Sequence, residues 1–195
     1  MEQPVSDHNA EYRGIVALGG NIDSGFGPPN ATITAAIDRL EASGVRVRAR
    51  SNLYRTDCYP KGSGPDFINA VVAVETGLDA PALLALLHRI EAEFGRQRTA
   101  RWSARTLDMD LIALGGQVLP DAATVRAWID LPLAQQMERA PDGLILPHPR
   151  LQDRAFVLIP LCDVAPDWRH PISGLTAREM CDRLPQADKE GVKPV

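Results

Sequence analysis

The chain has 195 residues, 45% of them hydrophobic and 24% charged, with a formal net charge of −4. That is the length and composition of one globular domain with a substantial core, and no apolar run approaches the roughly 20 residues that span a bilayer. Residues 1–12 lack the basic and apolar segments of a signal peptide, and three scattered cysteines, Cys58, Cys162 and Cys181, suggest neither a disulfide framework nor a zinc site. A cytoplasmic protein is expected, with no overall field favouring nucleic acid.

The elements follow in order. Residues 1–12 read as a flexible end. Ile15 to Leu18 is a buried strand closed by Gly19-Gly20. Asn30, after Pro28-Pro29, would cap a helix that buries Ile33, Ile37 and Leu40 and stops at Gly44. From Val45 to Tyr54 the residues alternate, with Arg46, Arg48 and Arg50 on the solvated side. A loop of turn formers leads into a strand from Phe67 to Thr76 with Ile68, Ala70, Val72 and Val74 on its apolar face. Asp79 would cap a second helix whose stripe is Leu83, Leu84, Leu87, Ile90 and Phe94. A last strand runs from Thr106 to Leu114.

This order, βαββαβ, is that of a ferredoxin-like α/β fold, an α+β sandwich with an antiparallel sheet and both helices on one face. The rest would form a helical C-terminal extension. Val125 to Met137 reads as a helix interrupted by Pro132, and Ala155–Asp163 and Thr176–Leu184 as short helices. Residues 186–195 read as a flexible tail.

The chemistry concentrates in one segment. Arg96, Arg98, Arg101 and Arg105 occur with no acid among them, and Asp108 and Asp110 follow at once. Two positions apart in a strand, the two carboxylates share a face with Cα atoms about 6.6 Å apart, and Leu107, Met109 and Leu111 take the other. Paired carboxylates suit a hard divalent cation that keeps further positions for water and phosphate. Arginine forks suit phosphate oxygens, each worth about 3 kcal/mol at roughly 5 Å and an effective dielectric near 20. Separately, an Asp-x-Asp reads as a solvated strand edge and the arginines as a surface loop; together, with Trp102 in the same loop, they point to phosphoryl-type transfer. Phe67 and Asn69 share a strand face that could stack on and hydrogen-bond a flat heterocycle, or be partly buried under the preceding loop. His148 could contact phosphate, or be structural.

Residues Arg101 to Ile112 (RWSARTLDMDLI) resemble the signature of the 6-hydroxymethyl-7,8-dihydropterin pyrophosphokinase family. Ala17-Leu-Gly-Gly-Asn21, Ser51–Thr56, Asp66–Ala70, Arg89-Ile-Glu91 with Gly95-Arg96, and Leu146–Leu151 with Arg154-Ala-Phe156 extend the match in order over about residues 14–170. The resemblance implies a single domain over residues 1–195 that transfers the pyrophosphoryl group of MgATP to the pterin hydroxymethyl oxygen and releases AMP, in tetrahydrofolate biosynthesis. It further implies that Asp108 and Asp110 hold two Mg²⁺ ions and that Arg96 and Arg105 lie near the transferred phosphates. Glu91, Arg98, Arg101, Leu111, His148 and Arg154 would line the ATP site. Phe67 and Phe156 would sandwich the pterin, Asn69 and the backbone from Thr56 through Asp57 and Cys58 to Tyr59 would read its edges, and Trp102 would close over the site. The partners expected are ATP and the pterin, with no nucleic acid, no membrane and a monomeric protein. Gly20, Asp57-Cys58 and Pro149 depart from the residues usual in that family. Two rivals are an RNA-binding module on the same fold, using the arginines of 46–50, and a paralogue that binds ligand without turnover.

Overall fold

The computed structural model describes residues 12–58, 62, 64–95, 105–132, 135 and 138–195. Six strands form one antiparallel sheet: β1 (Tyr12–Gly20), β2 (Arg46–Arg50), β3 (Tyr54–Thr56), β4 (Phe67–Thr76), β5 (Asp108–Leu114) and β6 (Val192–Pro194). The order across the sheet is β5-β1-β4-β3-β6, and β2 also pairs with β4.

Two helices cover one face, α1 (Pro29–Ala42) and α2 (Ala80–Glu93). Ile33, Ala36, Ile37 and Leu40 of α1 and Leu83, Leu86, Leu87 and Ile90 of α2 pack with Val16, Leu18, Ala70, Val72, Met109 and Leu111 of the sheet. The first helix starts one residue before the expected cap: Pro29 occupies its first turn, where the missing N–H costs nothing, and Pro28 is the capping position. Asp79 caps α2 as expected, accepting from the Ala82 N–H at 2.8 Å. Leu86, rather than Leu84, completes the buried stripe of α2. Gly44 and Gly95 follow the two helix ends at φ +88° and +81°, a conformation that suits glycine.

The other face is covered too, so the protein has three layers where two had been expected for the core. The helices α4 (Ala155–Val164) and α5 (Ala177–Arg183) bury Val157, Leu158, Leu161 and Met180 against Ile15, Ala17, Val71, Ile112 and Ala113. Between them in sequence and β5 comes α3 (Ala122–Ile129), begun by Asp121, which accepts from the Thr124 N–H, and ended before Pro132.

Two further expectations are corrected. The single strand read over 45–54 is two strands, β2 and β3, both paired with β4. Between them Ser51 takes over the ladder, its N–H donating to Val71 O and its Oγ accepting from Val71 N, each at 2.9 Å. Asn52 turns aside to Asp163 of α4, which accepts from its N–H at 3.0 Å and from the Tyr54 hydroxyl at 2.9 Å. Residues 186–195 are not a loose tail: they form α6 (Gln186–Glu190) and β6, which pairs with β3 in the register Thr56↔Val192 and covers an edge that would otherwise present open hydrogen-bonding groups.

Among the described residues no helix is long and apolar enough to cross a membrane.

Candidate active site

A β-bulge decides which way the acidic strand faces. In the β1–β5 ladder Ile15 pairs with Ala113 but Val16 pairs with Leu111, so Ile112 is the extra residue. Met109 and Leu111 therefore point to α1 and α2, and Asp108 and Asp110 to the face that carries α4. On β4 the alternation puts Ile68 and Ala70 in the first layer and Phe67, Asn69 and Val71 on the α4 face.

At the ends of the central strands these residues make a row. Gly19 pairs with Asp108 on one side and Asn69 on the other, and Thr56 pairs with Phe67 one strand further on. With no side chain at Gly19, the floor between the carboxylate and the amide is open. A Cβ there would stand 3.2 Å from Asn69 Oδ1. The Asn69 amide is held from the other end by its Nδ2, which donates to Thr56 Oγ1 at 3.0 Å. Its oxygen thus faces the space above Gly19 as an acceptor.

Each carboxylate has its own arginine. Arg105 pairs with Asp108, and Arg154, at the capping position of α4, pairs with Asp110 at 3.5 Å. The Arg154 guanidinium also lies 5.6 Å from the centre of the Phe156 ring. Phe156 is among the few large apolar side chains left exposed among the described residues. Glu91 is buried in α2, and its Oε1 accepts from the Met109 N–H at 2.7 Å, on the outer edge of β5. Further along that edge the His148 N–H donates to Ile112 O at 2.8 Å.

His148 is neutral. Burial first, then the charges of Arg154 and Arg150, hold its pKa down at about 3. Its Nδ1 accepts from the Arg150 N–H at 3.2 Å, which leaves the proton on Nε2, a donor that carries no charge. Burial, again with Arg154, also lowers the Arg150 pKa from its ordinary value.

Of the expected site residues the structure brings together Arg105, Asp108, Asp110 and Arg154, and alongside them Thr56, Phe67 and Asn69. Leu111 is placed apart, a 3% exposed residue whose side chain packs in the core on the opposite face from the carboxylates. Cys58 is buried, its Sγ accepting from the Gly64 N–H at 3.1 Å; Asp57 beside it is exposed. Tyr59, Arg96, Arg98, Arg101 and Trp102 lie outside the described residues. The arginines of β2 meet acids: Arg46 and Arg48 reach Glu75 at 3.3 and 3.1 Å, and Arg50 reaches Asp38 at 3.2 Å. That is an ion-paired surface, and it removes the main support for an RNA-binding face.

The donor set is all oxygen. Two aspartates on one face fit a divalent cation of the Mg²⁺ type, which takes one or two carboxylates and completes its shell with water and phosphate. A closed cage of three or more His, Cys, Asp or Glu is absent among the described residues.

Residues 15–166 match the family model described as 7,8-dihydro-6-hydroxymethylpterin-pyrophosphokinase (HPPK). A 2-amino-4-hydroxy-6-hydroxymethyldihydropteridine pyrophosphokinase from Synechocystis is 37% identical over 182 residues, covering 93% of this chain and 79% of that one. The protein of the same name from Pseudomonas aeruginosa is 37% identical over 182 residues, covering 93% and 95%. Among solved structures, a Plasmodium falciparum HPPK-DHPS triple mutant with pteroate superposes with a TM-score of 0.65 at 14% identity, covering 97% of this chain. At that identity the likeness shows the fold, and this chain spans 47% of the Plasmodium one.

Proposed function

The chain belongs to the 7,8-dihydro-6-hydroxymethylpterin-pyrophosphokinase family, and from that premise we propose how its residues divide the work. The enzyme transfers the pyrophosphoryl group of ATP to 6-hydroxymethyl-7,8-dihydropterin, a step of folate biosynthesis, and AMP leaves. We read the core as ferredoxin-like, since β5-β1-β4-β2 is the sheet order of a βαββαβ unit, with α4 and α5 as its C-terminal extension.

The observation that carries the assignment of residues is the row Asp108, Gly19, Asn69 and Thr56 across neighbouring strands. It sets a carboxylate pair beside an oriented amide, the two things that joining a phosphate donor to a heterocyclic alcohol requires. The pterin lies over Gly19, where Asn69 Oδ1 accepts from a ring N–H and Phe67 and Phe156 offer aromatic faces. By the family resemblance the backbone of 56–59 would read its remaining edge and Trp102 would close over it. Asp108 and Asp110 would hold Mg²⁺, two ions with ATP bound. The ions supply charge neutralisation on the phosphates and ease loss of the hydroxyl proton, so that no dedicated side-chain base is needed.

The chain's own groups bind and orient. The hydroxymethyl oxygen forms its bond to the β-phosphorus as the bond from that phosphorus to the AMP oxygen breaks. Arg105 and Arg154, which balance the two aspartates here, exchange a carboxylate for phosphate oxygens, with Arg96, Arg98 and Arg101 adding to the same field. His148 donates through Nε2 to a phosphate oxygen without bringing charge. Glu91 fixes the outer edge of β5, and since the Leu111 side chain is packed inside, the contact of Leu111 with nucleotide falls to its main chain.

The test is AMP release from ATP and Mg²⁺, with and without the pterin, for the wild type and Asp110→Asn. Pterin-dependent AMP formation that falls at least about 100-fold in the variant supports this reading. ATP binding with no AMP formed would favour the paralogue that binds without turnover.

A further inference from the structure

The strand β6 is short, yet it lies against the one strand that borders the amide end of the site. It pairs with β3 as Tyr54↔Pro194, Arg55↔Lys193 and Thr56↔Val192, and β3 pairs with β4 as Tyr54↔Asn69 and Thr56↔Phe67. One bond sets the phase of the outer ladder: the Val195 N–H donates to Leu53 O at 3.0 Å. Bonded and non-bonded pairs alternate along an antiparallel ladder. With Leu53 and Val195 bonded, Tyr54 and Pro194 fall at a non-bonded pair, and Arg55 and Lys193 at the next bonded one. A proline opposite Tyr54 fits that phase, since no N–H is needed there.

Successive residues of β3 are therefore held from opposite sides. Tyr54 and Thr56 turn their backbone groups to β4, and Arg55 turns its own to Lys193. The hold is made by main chain: the Lys193 side chain is exposed, and Val192 packs half-buried against the cluster of α4 and α5. Thr56 is where the hold reaches the site. Its Oγ1 accepts from Asn69 Nδ2 at 3.0 Å and so decides which way Asn69 Oδ1 faces. The carboxylates are remote from this edge, because β1 and β4 stand between β3 and β5 in the sheet.

We infer that β6 is a positioning strand for the pterin pocket: by bonding the outer edge of β3 it fixes Thr56, and through Thr56 the Asn69 amide, without touching the nucleotide side. The inference rests on the function proposed above. A strand of three residues has few ladder bonds of its own, so losing the outer partner leaves β3 tied on one side only. Small shifts of Thr56 then turn the amide oxygen away from a ring N–H.

Since the main chain does the work, the test separates it from the side chain. Lys193→Pro removes the N–H that bonds Arg55, and Lys193→Ala keeps it. Val195→Pro removes only the bond to Leu53 O, and it decides the comparison if Lys193→Pro does not fold. AMP release is measured on the full chain against pterin and against ATP, with melting temperatures in parallel. Lys193→Pro should raise the KM for pterin at least about five-fold, the worth of about one hydrogen bond. Its kcat and its KM for ATP should stay within about two-fold, the pattern of lost substrate binding. Val195→Pro should move the same constant by less, and Lys193→Ala should match the wild type.

An unchanged KM for pterin in a folded proline variant overturns the inference. So does a rise shared equally by both KM values, or a fall in kcat that follows the melting temperature, for then β6 only supports the fold. A Lys193→Ala variant as impaired as Lys193→Pro also overturns it, since the side chain would then be responsible. A wild type that forms no pterin-dependent AMP overturns the functional reading itself.

Discussion

Arg154 Nη1 stands 3.5 Å from Asp110 Oδ2, joining the first residue ahead of α4 to the edge strand of the sheet. Arg105, three residues ahead of Asp108, pairs with it. Each acidic group is thus balanced by a cation that is itself suited to phosphate, and the exchange between the two partners is built into the site. Removing Arg154 takes away a charge-assisted contact of about 1.5–3 kcal/mol, which corresponds to roughly a 10- to 100-fold fall in kcat/KM. Arg154→Ala should show that fall in the AMP-release assay. Arg154→Lys should recover part of it, because a point charge remains and the fork does not. Equal rates in wild type and Arg154→Ala would remove Arg154 from the site.

Gly19→Ala probes the floor between Asp108 and Asn69. The added Cβ lies 3.2 Å from Asn69 Oδ1, so the amide must give by a few tenths of an ångström while its nitrogen is still tied to Thr56. The neighbour displaced is a side chain, not the ladder, so the fold should survive. We expect the KM for pterin to rise by about ten-fold or more, the cost of one hydrogen bond misplaced in a polar pocket, and the KM for ATP to change much less. Equal changes in both constants would mean that the methyl acts on the metal-binding side.

Much of this site is readable along the chain because its parts are periodic or adjacent. Asp108 and Asp110 share a face by strand alternation, as do Phe67 and Asn69, and the arginine alternation of 46–50 marks an exposed strand. The missing parts depend on distant partners. Nothing near Ser51 says that the strand must break there; the reason is Asp163, 111 residues on from Asn52. Nor does the composition of 186–195 reveal a strand, since β6 exists by pairing with β3. The second helical layer is hidden similarly. Helix α4 is apolar nearly all round, so its sequence carries no stripe to say which sheet face it covers. Arg154 and Phe156 reach the site only through that docking.

Asp163 ties this layer to the sheet, and its removal should be felt in stability. Its Oδ2 accepts from the Asn52 N–H, from Asn52 Nδ2 at 3.2 Å and from the Tyr54 hydroxyl. Desolvation and the bond to Asp163 raise the Tyr54 pKa, so the phenol stays a donor throughout the neutral range. Asp163→Ala leaves a part-buried tyrosine hydroxyl and an exposed backbone N–H to find other partners, at a cost of about 0.5–1.5 kcal/mol. Urea unfolding of the variant should show a lower midpoint with a similar slope. An unchanged midpoint would mean that water replaces the carboxylate at no cost.

His148 gives a pH signature of its own. Its pKa of about 3 in the folded protein lies well below the value near 6.5 of an unfolded histidine. Between those values the unfolded chain takes up a proton that the native ring refuses. The unfolded state therefore binds more protons, and stability rises with pH through this window. The native state keeps its full advantage above the unfolded value and loses it progressively as the pH drops toward 3. His148→Gln cannot titrate, so the difference in unfolding free energy between wild type and variant should shift against the wild type as the pH is lowered from about 7 to about 4. The carboxylates common to both proteins cancel in that difference. Parallel stability profiles would show that the ring is open enough to be protonated in the folded state, and its role as an uncharged donor to phosphate would fall with them.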